Sequence, residues 1–452
     1  MSAAQSQTTL ESLQCYFTWD LDRKRSILLL LRDKMEDIRT EKGNRWLGHI
    51  YNLWGFIQYK LGLNEEAKSL FQKAAETLNK LRDADEGAWL VVNYGNLAWL
   101  HHHLGELEES QAYLSKVDAL MEKYPSPSQD ELHPEIYAEK AWTLMFLRED
   151  MILVVDYFEK AARMQPDMVE WNTSYVIASV NAHKHNNTSL DPDEYNNTRL
   201  DPDEYNNTRL DPDLLERMRQ AKEQDPENLY LAVLYLEQCA NKGENIRDQV
   251  REIAEQVLRS PVCSYDCVRE ILRVYQWYLG VDEAIDLGEE ALLKHPDQRY
   301  LKRWVALCYR KKILYIRGGP VRPGVMDRAI SLHEDLISLY PHSSLLKKID
   351  LTTIYAKSHH SKAKAEQIYQ ELLDSDLEPG EKQMLYNKYA DYLFFNLNDF
   401  HRSTQYHMNA AAIPENSYFR KKSIRSLEKN KDRGIMCREI EEFFRNLQEP
   451  TQ

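Results

Sequence analysis

The sequence predicts an all-α fold, a solenoid of stacked helix pairs, on three observations. Small residues recur where two paired helices would cross, with large apolar residues spaced three or four positions around them. In the clearest units a glycine separates the two helices, and in several units a proline follows the second helix. No run of alternating apolar and polar residues bounded by turn signals accompanies this pattern, so we expect strands to be nearly absent.

Two units near the N-terminus carry the pattern most clearly. The first has Tyr51, Trp54 and Gly55 on its first helix, Gly62 in the turn, and Ala67, Phe71 and Ala74 on its second helix. The next repeats the arrangement with Tyr94, Leu97, Ala98, Gly105, Ser110, Leu114 and Val117. Helix pairs of about 34 residues with small residues at the crossing are typical of tetratricopeptide repeats.

The later units are marked by how they end. A third unit carries Trp142, Phe158 and Ala161, and the prolines that close second helices are Pro166, Pro226, Pro296, Pro341 and Pro414. A further unit around Ala365 and Tyr369 ends less regularly. The pattern predicts roughly eight or nine helix pairs, stacked into a superhelix whose concave face is the usual binding surface.

A tandem decapeptide interrupts the repeats. It reads "NNTSLDPDEY", "NNTRLDPDEY" and "NNTRLDPD", and its polar composition predicts an exposed loop. The predicted organisation is therefore N-terminal helical repeats over 1–185, the insertion over 186–213, middle repeats over 214–340 and C-terminal repeats over 341–452. A second break, "IRGGPVRPG" at 316–324, predicts a long turn inside one repeat.

Composition narrows the class of protein. The chain has 452 residues, a hydrophobic fraction of 43% and a net charge of −14, so any nucleic-acid site must be a local concentration of basic residues. No window approaches the roughly 18 apolar residues of a membrane span. Six cysteines are too few for a disulfide framework. We expect a cytoplasmic protein.

No constellation for catalysis is visible. The sequence lacks a glycine-rich phosphate loop followed by lysine, a G-x-S-x-G elbow and an HExxH motif. His101, His102 and His103 are consecutive, so on a helix they point in different directions and cannot all bind one metal. We therefore predict a protein that is not an enzyme, with no cofactor and no metal site.

Three basic clusters stand out against the acidic background. They are Arg269 with Arg273; Lys302, Arg303, Arg310, Lys311 and Lys312 around Tyr300 and Trp304; and Arg420, Lys421, Lys422 and Arg425 beside Phe419. Basic residues interleaved with aromatic ones suit phosphate contact with base stacking. The alternative is that the charges are solvated faces and the aromatic residues belong to the core.

An ordered set of motifs resembles one family. The motifs are "CYFTW" at 15–19, "YNLWGFIQYKLGLNEEA" at 51–67, "YGNLAWLHHHLGELEESQAY" at 94–113, "SPS" at 126–128, "EKAW" at 139–142, "FEKA" at 158–161 and "LCYRKK" at 307–312. Over nearly the whole chain they resemble the interferon-induced proteins with tetratricopeptide repeats, the IFIT family. Members of that family are cytosolic antiviral proteins of innate immunity.

The resemblance implies a function and a central basic tunnel or groove. Several members capture the 5′ end of single-stranded viral RNA there, favouring a 5′-triphosphate or a cap lacking 2′-O-methylation, and block its translation. Other members act mainly as scaffolds, through protein partners and hetero-oligomers with family members. We expect the first function here, with the scaffold as the alternative, and no membrane partner.

When the RNA-binding positions of the family are compared with this sequence one by one, some are kept and others differ. Together with the basic clusters it predicts the RNA-binding residues Lys34, Arg269, Arg273, Tyr300, Lys302, Arg303, Trp304 and Lys422. The arginines and lysines would contact phosphates, and Trp304 or Tyr300 would stack on a base. The sequence departs from the family pattern at Leu30, Ile38, Asn181, Asp266 and Glu270, and the acidic departures would repel phosphate.

Overall fold

The computed structural model describes residues 3–38, 44–186, 210–259, 265–315, 321–357 and 362–448. Residues 187–209 of the decapeptide insertion and 316–320 of the second break lie outside these ranges, so both predicted loops remain predictions there. Every regular element in the described ranges is helical. None of those helices combines the length and apolar composition needed to cross a membrane.

The described residues form two compact units, which meet in sequence between Leu279 and Gly280. The first unit contains α1 (Ala3–Ser12), α2 (Arg25–Ile38), α3 (Leu47–Lys60), α4 (Asn64–Arg82), α5 (Val91–His103), α6 (Leu107–Lys123), α7 (Pro134–Leu147), α8 (Met151–Met164), α9 (Val169–Asn186), α10 (Pro212–Gln224), α11 (Leu229–Asn241), α12 (Arg247–Arg259) and α13 (Tyr265–Val274). A π-helical turn, Tyr275–Leu279, follows α13.

The second unit is built in the same way. It contains α14 (Val281–Lys294), α15 (Arg299–Tyr315), α16 (Pro323–Leu339), α17 (Leu345–Lys357), α18 (Lys362–Leu373), α19 (Pro379–Tyr392), α20 (Phe400–Ala412), α21 (Tyr418–Asp432) and α22 (Cys437–Gln448). A second π-helical turn, Leu393–Leu397, follows α19. Successive helices pack as pairs in each unit. The predicted all-α solenoid of helix pairs is confirmed, while the predicted domain boundaries stay predictions.

The first predicted repeat is the pair α3 and α4. A Cβ placed on Gly55 would lie 2.8 Å from the Phe71 ring and 3.2 Å from the carbonyl oxygen of Ala67, so only glycine permits this helix crossing. Gly62, in the turn between the helices, has a φ of +86°, which glycine adopts without strain. The residue pattern that predicted this repeat therefore reflects the close approach of the two helices.

The prolines end second helices as the sequence predicts. Helices α8, α10, α14, α16 and α20 each end two residues before Pro166, Pro226, Pro296, Pro341 and Pro414, respectively. The residue before each proline leaves the helical conformation because the proline ring clashes with it there. Asp225, for example, has a φ of −127° and a ψ of 69°. The prolines thus mark the boundaries of the repeats.

The N-terminal motif packs into the first repeats through a buried polar network. Tyr16 is 1% exposed, and Thr143 Oγ1 donates a hydrogen bond of 2.9 Å to Tyr16 Oη. Glu139 Oε1 accepts a 2.8 Å hydrogen bond from Asn52 Nδ2, and Glu139 Oε2 lies 3.8 Å from His49 Nε2. Residues of three separate motifs therefore meet in one core, which gives them a structural role.

This network makes stability depend on pH. Burial raises the pKa of Glu139 to about 8 from 4.5, and burial lowers the pKa of His49 to about 3 from 6.5. Glu139 binds its proton more tightly in the folded state, so it makes stability fall as pH rises from about 4.5 to about 8. His49 binds its proton less tightly when folded, so it makes stability rise from about pH 3 to about 6.5.

We expect the contributions of Glu139 and His49 to the pH dependence of stability to oppose each other up to about pH 6.5. Above that pH, of these two groups only Glu139 contributes. The free energy of unfolding should then fall by up to about 1.4 kcal/mol per pH unit between pH 6.5 and 8. Urea unfolding across this range measures the slope. The Glu139→Gln variant, which cannot ionise at this position, should flatten it. An unchanged slope in that variant would assign the pH dependence to other groups.

Candidate nucleic-acid interface

A chain of buried ion pairs crosses three helices of the first unit, and we call it the ion-pair ladder. Lys184 Nζ on α9 lies 2.7 Å from Glu237 Oε2 on α11. The other oxygen of Glu237 lies 2.5 Å from Arg273 Nη1 on α13. Glu270 accepts a 2.6 Å hydrogen bond from Arg273 Nε at one oxygen, while its second oxygen lies 2.9 Å from Arg269 Nη2.

The spacing of residues on α13 produces one end of the ladder. Arg269 and Arg273 are four positions apart and Arg273 is three positions after Glu270, so these side chains can meet along the helix. Both arginines engage the carboxylate of Glu270, one at each oxygen. The predicted pair of arginines is therefore held by an acidic residue that the sequence alone suggested would repel phosphate.

Burial within the ladder is uneven. The side chains of Lys184, Glu237, Glu270 and Arg273 are at most 5% exposed, whereas that of Arg269 is 14% exposed. A guanidinium hydrogen-bonded to a carboxylate keeps its planar, multi-donor geometry, which suits a phosphate oxygen. Arg269 is therefore the member of the ladder best placed to meet a ligand.

The central carboxylate of the ladder, that of Glu237, is ionised. Burial acts to raise the pKa of Glu237, but the charges of Arg273 and Lys184 outweigh it and hold that pKa well below its usual range. Glu237 is thus ionised at neutral pH. The five side chains of the ladder comprise three cations and two carboxylates.

Four further predicted site residues lie on α15 in the second unit. Tyr300 and Trp304 are buried, at 1% and 6% exposure, because they face the core of that unit. The guanidinium carbon of Arg303 lies 5.0 Å from the centre of the Trp304 ring. Lys302 Nζ pairs with Asp335 on α16 at 3.1 Å. The structure thus buries both aromatic side chains and brings Arg303 against the Trp304 ring, and the predicted contacts of these residues with RNA stay predictions.

Of the two remaining predicted residues, one lies in each unit. The ammonium nitrogen of Lys34 on α2 lies 3.7 Å from the centre of the Phe146 ring on α7. In the second unit, Lys422 Nζ on α21 lies 3.0 Å from Asp391 on α19. Each lysine bridges two helices of its unit, and their roles in RNA binding also stay predictions.

Three members of the ladder were not among the predicted site residues. Glu270 was named only as a departure from the family pattern, and neither Lys184 nor Glu237 was singled out. A signal for Glu237 exists in the sequence, because it is the one charged residue of the apolar helix α11, "LYLAVLYLEQCAN". A charged residue on a helix of that composition will be buried, and a buried carboxylate needs a cation.

Comparison with known proteins agrees with the resemblance. No family model matches the chain. It is 26% identical over 397 residues to "Interferon-induced protein with tetratricopeptide repeats 2" of Cricetulus griseus, covering 86% of this chain and 79% of that protein. It is 25% identical over 445 residues to "Antiviral innate immune response effector IFIT1" of Homo sapiens, covering 94% and 87%.

A solved structure shows the same fold. The structure described as "Human IFIT1 dimer with PPP-AAAA" matches with a TM-score of 0.63 and 24% sequence identity, over 95% of this chain and 91% of that chain. The resemblance predicted from the motifs is therefore confirmed, since the similar proteins carry the names of that family and the similarity extends over most of the chain.

Proposed function

We propose that this protein is a cytoplasmic antiviral protein that captures the 5′ end of single-stranded viral RNA and blocks its translation. The RNA end would carry a 5′-triphosphate or a cap lacking 2′-O-methylation, and it would bind in a basic tunnel or groove. The observation that carries the proposal is that Arg269, the most exposed member of the ion-pair ladder, is held in place by the carboxylate of Glu270, in a chain whose net charge is −14. The similar human protein bound to PPP-AAAA supports the choice of ligand.

Each residue of the ladder has a role in this proposal. Arg269 contacts a phosphate of the RNA end, because it is the most exposed member. Glu270 and Arg273 fix the orientation of Arg269, and Glu237, which also pairs with Lys184, anchors Arg273. Lys34, Lys302, Arg303 and Lys422 add further phosphate contacts. Trp304 or Tyr300 would stack on a base, and the Trp304 ring also contacts the guanidinium of Arg303.

The test is an electrophoretic shift with RNAs of one sequence that differ only in the 5′ group. The four groups are triphosphate, unmethylated cap, monophosphate and hydroxyl, all at one near-physiological salt concentration, because phosphate contacts depend strongly on salt. We expect the triphosphate or the capped RNA to bind at least about tenfold more tightly than the hydroxyl RNA.

Equal affinity for all four RNAs would contradict recognition of the end. No shift with any RNA, by protein shown to be folded from its circular dichroism, would favour the alternative of a repeat scaffold for protein partners. The ion pairs that engage Lys302 and Lys422 are the observation in favour of that alternative, since they already compensate two of the predicted phosphate contacts.

A further inference from the structure

Helix α21 is strongly basic and presents its charge to solvent. Its sequence "YFRKKSIRSLEKNKD" contains six arginines and lysines and two acidic residues. Lys421, Arg425 and Lys429 are four positions apart, so they lie along one face of the helix. All three side chains are exposed, and among the described residues none of them forms an ion pair.

The burial pattern of α21 explains why this face is exposed to solvent. Ser423, Leu427 and Asn430 are buried and turn the opposite side of the helix towards its neighbours. The acidic residues Glu428 and Asp432 follow Arg425 and Lys429 by three positions, so they flank the row on the same side of the helix. With Arg433, which follows the helix, the row still carries four cations against these two carboxylates.

An exposed aromatic cluster lies at the C-terminal end of this row. The π-helical turn after α19 carries Phe394 and Phe395, and the ring of Phe394 lies 5.0 Å from that of Phe395 and 4.9 Å from that of Phe400. Phe395 is 73% exposed and Phe400 is 41% exposed. Arg433, which follows α21, has its guanidinium carbon 5.8 Å from the centre of the Phe394 ring. This contact joins the row to the cluster.

Together these residues form what we call the basic–aromatic strip: Lys421, Arg425, Lys429 and Arg433 with Phe394, Phe395 and Phe400. Residues four positions apart on a helix are separated by about 6 Å along the helix axis. This distance is close to the separation of neighbouring phosphates in an extended nucleic-acid strand. Exposed aromatic rings beside regularly spaced cations are the combination that binds single strands irrespective of sequence.

We propose that the basic–aromatic strip is a second binding surface for single-stranded RNA, one that does not depend on the chemistry of the 5′ end. Its cations contact successive phosphates, and Phe395 and Phe400 stack on unpaired bases. The strip contains none of the residues assigned to the end-binding site, so this proposal does not rest on the proposed function. An acidic protein is the competing ligand, but it would make no use of the regular spacing or of flat aromatic faces.

The test uses the full chain and a 5′-hydroxyl single-stranded RNA of about 20 nucleotides, which lacks the end group. Fluorescence anisotropy gives its affinity at several salt concentrations. The variant Lys421→Glu, Arg425→Glu and Lys429→Glu should lose at least about tenfold in affinity and reduce the slope of log affinity against log salt by about 2. Phe395→Ala should weaken binding about tenfold with the slope unchanged.

A matched control separates local contact from net charge. Lys73 and Lys80 on α4 and Lys362 on α18 are also exposed and outside any ion pair of the described residues, and their reversal to glutamate changes the net charge by the same amount. The control variant should keep the affinity and the salt slope of the parent. Equal losses in the two triple variants would overturn the proposal, as would a parent protein that binds poly-glutamate as tightly as it binds the RNA.

Discussion

We expect the variant Arg269→Glu to lose about 100-fold in affinity for RNA with a 5′-triphosphate. The substitution replaces the most accessible cation of the ion-pair ladder with an anion. A phosphate that approached this end would then meet a carboxylate beside Glu270. The measurement is the electrophoretic shift with triphosphate RNA, compared with the parent protein at the same salt concentration.

Two further variants show whether the loss is specific. Arg269→Lys keeps the charge but loses the planar guanidinium, so it should lose affinity to an intermediate degree. Arg259→Glu reverses a charge on an exposed side chain of α12 and should leave the affinity unchanged. Because glutamate beside the buried Glu270 could disturb folding, the neutral variant Arg269→Gln serves as a second test. Parent-like affinity in both Arg269→Gln and Arg269→Glu would exclude Arg269 from the RNA site.

The second large effect is expected on stability. The variant Glu237→Ala should lower the free energy of unfolding by about 3–5 kcal/mol, because it leaves two buried cations without their shared carboxylate. Lys184 and Arg273 both lie within 2.7 Å of Glu237, and all three side chains are at most 5% exposed. Neither cation can reach water without opening the packing of α9, α11 and α13. Urea unfolding followed by circular dichroism measures the change.

An exposed ion pair provides the control for this effect. Glu255 on α12 lies 3.0 Å from Arg259, and their side chains are 67% and 76% exposed. Removing one partner of such a pair costs at most about 1 kcal/mol, because both charges remain hydrated. The variant Glu255→Ala should therefore unfold close to the parent. If Glu237→Ala were no more destabilising than Glu255→Ala, the ladder would have no structural role.

Local signals made the repeat architecture predictable. Gly62 adopts a positive φ in the turn, and Gly55 leaves room for the ring of Phe71 on the paired helix. Each closing proline keeps the residue before it out of the helical conformation. These constraints act within a few residues, or within one helix pair, so the sequence displays them directly. The closeness of Arg269 and Arg273 is predictable for the same reason, since it follows from a spacing of four on one helix.

The rest of the site depends on contacts that sequence distance conceals. Glu237 is 53 positions from Lys184 and 36 positions from Arg273, so no local pattern joins them. Trp304 and Tyr300 are four apart on α15, which predicts that they share a face but not whether that face meets a ligand or the core. The structure shows that they face the core, where Trp304 contacts Arg303 instead of solvent.

The ion-pair ladder also bears on how the protein opens. In an array where each repeat contacts only its neighbours, the ends fray first and unfolding spreads one repeat at a time. Lys184, Glu237 and Arg273 link the first helices of three successive helix pairs, α9, α11 and α13. Opening any one of these helices would therefore break a buried ion pair with its neighbour. These three helices must therefore open in a single cooperative event. The segment that holds Arg269 is consequently protected from the fluctuations that loosen the ends of a repeat array.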